Sequence, residues 1–100
     1  MDKRIVELLV AVVRDLEDTR YQINGYSYVR TIRNILVGNP DAIIAPNFKQ
    51  KPYYGIVDHL TLEETEKLLD NVANTNRLIC DYREHGKLYC TPEYYKNSNK

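Results

Sequence analysis

The sequence of 100 residues has no net charge, no long apolar run and only two cysteines. Its 14 Lys and Arg residues balance 14 Asp and Glu residues, whereas domains that bind nucleic acid are usually basic. Any DNA binding would therefore depend on an uneven distribution of charge. The longest uncharged apolar run, residues 8–13, is far shorter than the roughly 18 residues that a membrane-spanning helix needs.

No secretory signal precedes the two cysteines, because the first apolar stretch carries charges and no small-residue cleavage site follows it. We therefore expect reduced thiols and a cytoplasmic, nucleoid-associated protein. The sequence lacks a P-loop, a nucleophile elbow and a paired acid–base motif, so we expect no enzymatic activity and no cofactor. Helicase ATPase motifs are absent too, so any unwinding would need another domain. Without C-x-x-C spacing we expect no metal site.

The composition, 43% hydrophobic and 28% charged residues, is typical of one folded domain with a single core. We expect the domain to span residues 1–96 and residues 97–100 to form a flexible tail. Helix one is predicted over residues 3–17, with core residues at helical spacing. These are Ile5, Leu8, Leu9, Val12 and Leu16. A second stripe, Val6, Val10 and Val13, is either buried in a central helix or a docking face for a partner.

Helix two is predicted over residues 28–37, after a polar connection with an Asn24-Gly25 turn, and Ser27 is its expected N-cap. Gly38 and the proline beyond it end this helix. Its core residues are Val29, Ile32, Ile35 and Leu36. The Pro-rich segment 39–60 predicts a loop with a short helical turn near residues 41–44.

Helix three is predicted to begin at Thr61, because Thr61 and Glu64 have the spacing of a capping box. Its expected buried residues are Leu62, Thr65, Leu68, Leu69, Val72 and Ala73. After it, residues 78–82 and 87–91 alternate around a turn, which predicts a β-hairpin.

A three-residue loop in this hairpin, residues 84–86, would pair Arg83 with Lys87 and place Cys80 opposite Cys90. The expected inner face is Leu78, Cys80, Tyr82, Leu88 and Cys90, with Lys87 and Tyr89 outside. A redox-responsive disulfide is geometrically possible in this register, although inert packed thiols are favoured. Three helices and a hairpin predict an α+β, mainly α, winged helix: a three-helix helix-turn-helix core plus a C-terminal β-hairpin wing. A plain three-helix bundle is the alternative.

Four short patterns, in this order and spacing, resemble the RQC domain, the winged helix of RecQ-type DNA helicases. They are Ile35-Leu36-Val37-Gly38 at the end of helix two, Tyr54-Gly55-Ile56, Leu60-Thr61-Leu62-Glu63-Glu64, and Leu88-Tyr89-Cys90-Thr91. The resemblance covers about residues 2–95. It implies a DNA-binding module that accompanies an ATP-dependent helicase in DNA repair and recombination, with a wing that wedges between paired bases. The family often has basic residues where this chain has Val37 and Asp58, and another near Ile43 or Ile44, which implies fewer phosphate contacts here.

Charge is distributed unevenly along the chain. Residues 20–51 include five basic residues and one acidic residue, Asp41. Arg30 and Arg33 are predicted to lie on the same solvent-exposed side of helix two, where they could bind phosphates. A merely solvated helix face is the alternative. The exposed side of helix three is acidic, which makes insertion of this helix into a major groove unfavourable.

The expected DNA contacts therefore lie on helix two, at helix ends, in the loop and on the wing, with duplex or forked DNA as partner. They are Ser27, Tyr28, Arg30, Arg33, Asn39, Lys49, Lys51, Thr61, Arg83, His85 and Lys87. His85 at the apex is the candidate for stacking on an open base, and a turn histidine without function is the alternative. A second hypothesis is a protein-interaction or dimerisation winged helix that docks a helicase domain or a second copy through Val6, Val10 and Val13.

Overall fold

The computed structural model describes residues 2–23, 26–41, 44–83 and 86–98. Its elements are α1 (Lys3–Leu16), β1 (Gln22–Ile23), β2 (Tyr26–Tyr28), α2 (Val29–Leu36), a 3-10 helix (Pro46–Gln50), α3 (Leu62–Asn74), β3 (Ile79–Arg83), β4 (Gly86–Cys90) and α4 (Pro92–Ser98). The strands form one antiparallel sheet in the order β1-β2-β4-β3. The prediction of an α+β fold is confirmed.

The helix α1 is central to the fold, packed against α2 and β4. Its predicted core residues Leu9, Val12 and Leu16 are fully buried. Val10 and Val13 are also only 2% and 0% exposed, and Val6 is partly buried against the same core. The prediction of a docking face on Val6, Val10 and Val13 is therefore wrong. Because α1 is enclosed on several sides, it needs apolar residues around most of its circumference.

The segment between α1 and α2 contains two short strands that the sequence pattern did not reveal. β2 pairs with β4, with Ser27 opposite Tyr89 and Tyr28 opposite Leu88. This pairing turns the Ser27 side chain into the core, where it is fully buried. Tyr28, which has no capping hydrogen bond from its side chain, is the N-cap of α2. The predictions of Ser27 as helix cap and as DNA contact are both wrong, because Ser27 belongs to the sheet.

The Pro-rich loop is fastened to the C-terminal end of α2. The N–H groups of Gly55 and Val57 donate hydrogen bonds of 2.9 Å to the carbonyl oxygens of Ile35 and Leu36. A Cβ atom on Gly38 would lie 3.0 Å from Gly55 Cα, so this close approach requires glycine. The helical turn of the loop lies at Pro46–Gln50, after the predicted position, whose residues 42 and 43 lie outside the described part.

The capping box that begins α3 is confirmed. The Thr61 hydroxyl accepts a hydrogen bond of 3.1 Å from the Glu64 N–H, and the Thr61 N–H donates one of 3.0 Å to Glu64 Oε1. Thr65, Leu69 and Val72 are buried as predicted. Leu62 is instead 42% exposed, because it occupies the first turn, beyond the edge of the core.

The predicted β-hairpin exists, but its register differs by one residue. Arg83 pairs with Gly86 rather than Lys87, and Cys80 lies opposite Tyr89 rather than Cys90. Because side chains alternate along a strand, this shift places Tyr89 on the same face as Cys80, in the core at 0% exposure. Tyr82 lies on that face too but is 71% exposed, next to the hairpin turn. Cys80 and Cys90 lie on opposite faces as free thiols, so the disulfide alternative is wrong.

Helix α4 follows β4 directly and was not predicted. Thr91 begins it, since the Tyr94 N–H donates to Thr91 Oγ1. Thr91 is itself held by Glu17, the C-cap residue of α1, whose Oε1 accepts hydrogen bonds of 2.7 Å from the Thr91 N–H and 2.6 Å from its hydroxyl. The helix extends to Ser98, into the predicted tail, and residues 99 and 100 lie outside the described part.

Candidate nucleic-acid interface

An open groove brings the start of α2, the start of α3 and the tip of the β3–β4 hairpin together. Its lining residues are Tyr28, Val29, Arg30, Thr31, Leu62, Glu66 and Gly86. The first backbone N–H groups of α2 have no capping side chain from Tyr28. These donors and the helix dipole favour an anion at this end of α2.

Arg30 is the strongest positive feature of the groove. Its side chain is exposed, and among the described residues it forms no ion pair. A guanidinium that is free of carboxylates can make paired hydrogen bonds to a phosphate. The structure therefore brings Arg30 and Tyr28, two of the predicted DNA contacts, to one surface.

Arg33 is less exposed than Arg30. It is partly buried, and its Nε atom is buried with no hydrogen-bond partner in the described part of the chain. The predicted role of Arg33 in DNA binding stays a prediction, and Arg30 is the more exposed of the two arginines.

The predicted contacts in the loop and at the helix ends are partly occupied by internal interactions. Asn39 Oδ1 accepts from the Asp41 N–H, and its amide lies 3.4 Å from Asn34 Oδ1. The Thr61 hydroxyl is used in the capping box. Lys51 Nζ lies 3.8 Å from Asp15 Oδ2 of α1, outside the lining of the groove. Lys49 is exposed but likewise does not line it.

Lys87 is held against α3 by Asp70. Its Nζ donates a hydrogen bond of 2.7 Å to Asp70 Oδ2 and lies 5.4 Å from the centre of the exposed Tyr82 ring. The side chain of Lys87 is only 22% exposed. The hydrogen bond to Asp70 raises the pKa of Lys87, mainly by stabilising its charged form. The prediction that Lys87 faces outward is therefore wrong, and its role as a DNA contact stays a prediction.

The same carboxylate fixes the central strand of the sheet. Asp70 Oδ1 accepts a hydrogen bond of 2.7 Å from the hydroxyl of Tyr89, which is fully buried. Burial and this hydrogen bond raise the pKa of Tyr89, so the phenol stays protonated and remains a donor. Asp70 was not among the predicted site residues, and no local sequence signal indicates its two contacts, since they depend on the hairpin register.

The apex of the hairpin falls partly outside the described residues. Glu84 and His85 are not described, and only the backbone of Arg83 is. The predicted roles of Arg83 in phosphate binding and of His85 in stacking stay predictions. Gly86, the next described position, lies in the groove lining.

The acidic character of α3 extends into the groove through Glu66. Glu63 and Glu64 in the first turn are exposed, and the hydrogen bonds of the capping box lower the pKa of Glu64. These carboxylates repel phosphates. An anion in the groove is therefore favoured beside the start of α2 and disfavoured beside α3.

No protein-family model matches this chain, and no curated protein matches it. Among the described residues, no group of three or more His, Cys, Asp and Glu side chains is arranged to hold a metal ion. None of the described helices has both the length and the apolar character needed to cross a membrane.

Proposed function

We propose that this chain is a DNA-binding winged-helix module, similar to the RQC domain, that engages duplex or forked DNA through the start of α2 and the β3–β4 wing. It would contribute binding rather than ATP hydrolysis, and a helicase domain or partner would supply the motor. The order of α1, β2, α2, α3, β3 and β4 supports the winged helix. So does the pairing of β2 with β4, because it attaches the hairpin to the segment that leads into α2.

The observation that carries the proposal is the convergence of Arg30, the uncapped start of α2 and the hairpin tip on one groove. Backbone N–H groups at a helix start and an exposed arginine are the donors that most often bind DNA phosphates. In the part of the chain that the structure describes, this surface has no second basic side chain that could read base edges. We therefore expect binding with little sequence preference.

The experiment is a binding comparison of forked, duplex and single-stranded DNA at two salt concentrations, made with Arg30→Gln and a matched control. Arg14→Gln removes the same charge from an exposed position on α1, outside the groove. Arg30→Gln should weaken DNA binding by about three- to tenfold. The slope of log affinity against log salt concentration should fall by the amount expected for about one phosphate contact. Arg14→Gln should change the affinity less than about twofold.

The outcomes distinguish binding through the groove from a general effect of the protein's net charge. Equal losses in the two variants would show that only overall charge matters and would remove the groove from the proposal. Absence of binding by the unaltered protein to every DNA at low salt would reject the proposed function. A preference for the fork over closed duplex supports the helicase-type role that the resemblance implies.

A further inference from the structure

Asp70 occupies a position between two elements that meet at the candidate DNA surface. Its two oxygens accept hydrogen bonds of 2.7 Å from Lys87 Nζ and from the Tyr89 hydroxyl. Lys87 and Tyr89 lie two residues apart on β4 and therefore on one face of the sheet. The buried Tyr89 holds the Asp70 carboxylate in the orientation that receives the Lys87 ammonium.

Lys87 lies beside the groove without lining it. Its neighbour Gly86 does line the groove, as does Glu66, one turn before Asp70 on α3. The acidic groups that act on Lys87 are Asp70, by direct contact, and Glu66, at longer range. The only basic side chain of β4 is thus held on α3 next to the surface where an anion would bind.

We propose that the Asp70 carboxylate acts as an internal substitute for a phosphate, which keeps Lys87 away from nucleic acid and weakens DNA binding by this surface. This inference rests on the proposed DNA-binding function. A carboxylate and a phosphate oxygen are equivalent acceptors for an ammonium group, and the internal one is always present at contact distance. A DNA phosphate gains the Lys87 contact only if it displaces Asp70 or if Asp70 is neutral.

The test is the variant Asp70→Asn, which keeps an oxygen to accept from Tyr89 but removes the charge that holds Lys87. This variant should bind DNA about three- to tenfold more tightly. The slope of its log affinity against log salt concentration should steepen by the amount expected for about one phosphate contact. Glu93→Gln is the matched control, because it removes one exposed carboxylate from α4. Adding Lys87→Gln to Asp70→Asn should return the affinity to that of the unaltered protein.

Two results of this comparison would overturn the proposal. One is a gain in Asp70→Asn that is no larger than in Glu93→Gln, which would make it an effect of net charge. The other is a gain that survives Lys87→Gln, which would assign it to a residue other than Lys87. Circular dichroism and thermal unfolding establish that each variant is folded before its affinity is compared.

A second measurement does not depend on DNA binding. Inorganic phosphate is titrated into the unaltered protein and into Asp70→Asn while the Lys87 ammonium and backbone resonances are followed by NMR. In the unaltered protein the resonances of Lys87 should shift less with added phosphate than those of Lys67, an exposed lysine of α3. In Asp70→Asn the resonances of Lys87 should shift at least as much as those of Lys67. If Lys87 of the unaltered protein responds like Lys67, the inference is wrong even where Asp70→Asn fails to fold. If the phosphate results hold but no DNA is bound, the proposed function fails and the control of Lys87 by Asp70 stands.

Discussion

Replacing Glu17 by alanine should destabilise the fold strongly, because Glu17 joins the end of α1 to the junction of β4 and α4. The residue is 7% exposed, and its Oε1 accepts hydrogen bonds from both the N–H and the hydroxyl of Thr91, which is 1% exposed. A hydrogen bond to a charged group contributes about 1.5–3 kcal/mol, and the buried carboxylate itself costs free energy to desolvate. We expect Glu17→Ala to lower the free energy of unfolding by about 2–4 kcal/mol, measured by urea denaturation.

Glu17→Gln separates the hydrogen bonds from the charge. The glutamine keeps an oxygen that can accept from Thr91 and removes the buried negative charge. We expect its free energy of unfolding at neutral pH to lie within about 1 kcal/mol of the unaltered protein, or above it. A loss as large as that of Glu17→Ala would refute the reasoning, because it would show that the charge rather than the acceptor stabilises Thr91.

The pH dependence of this comparison has a definite sign. Desolvation by burial raises the pKa of Glu17 above 4.5, against the lowering effect of the Thr91 hydrogen bonds. The folded state therefore binds this proton more tightly than the unfolded state. The stability that protonation of Glu17 gives to the folded state is fully present below pH 4.5 and is lost as the pH rises through the folded-state pKa of Glu17. The stability of Glu17→Gln relative to the unaltered protein should rise over that interval, and a pH-independent difference would contradict the assignment.

Three further outcomes follow from burial and backbone geometry. Val10→Asp should abolish cooperative thermal unfolding, because it places a charge in the core, and a cooperatively folded variant would contradict the burial of Val10. Gly38→Ala should lower the free energy of unfolding by at least about 1 kcal/mol, since Gly38 has φ of +70° and contacts Gly55; an unchanged urea midpoint would contradict this. Cys90, fully buried and with its pKa raised to about 11 by desolvation, should be alkylated more slowly than Cys80 in the native protein, and equal rates by mass spectrometry would contradict it.

The helices could be predicted from the sequence because their signals are local. The spacing of Leu9, Val12 and Leu16 identifies α1. The spacing of Thr61 and Glu64, typical of a capping box, identifies the start of α3. Glycine at position 38, followed by proline, correctly indicates the end of α2. Each of these signals spans a few residues and does not depend on which element packs nearby.

The register of the hairpin could not be predicted in the same way. Strand alternation and the turn residues identify β3 and β4, but they do not choose between loops of two and three residues. The choice depends on β2, which pairs with β4 and requires Tyr89 to face the core opposite Ser27. Tyr82 lies on the same face as Tyr89 but is 71% exposed, although its strand pattern predicted it inside.

The candidate site was predicted only where exposure follows from the local sequence. Arg30, in the first turn of a helix that is packed on its other side, is exposed as expected. The exposure of Ser27 and Lys87 depends on partners distant in sequence. For Lys87 this partner is Asp70, 17 residues away. A charge count along the chain does not reveal such internal pairing.

The sequence by itself determined the three main helices, the Pro-rich loop, the existence of the hairpin and the uneven charge around α2. Tertiary structure decided that Val10 and Val13 are core, that β2 enters the sheet and that Lys87 is held by Asp70. Helix periodicity and capping act over about four residues, whereas strand register and ion pairing depend on which distant segments meet. For this reason the groove beside Arg30 emerges only when α2, α3 and the hairpin tip are brought together.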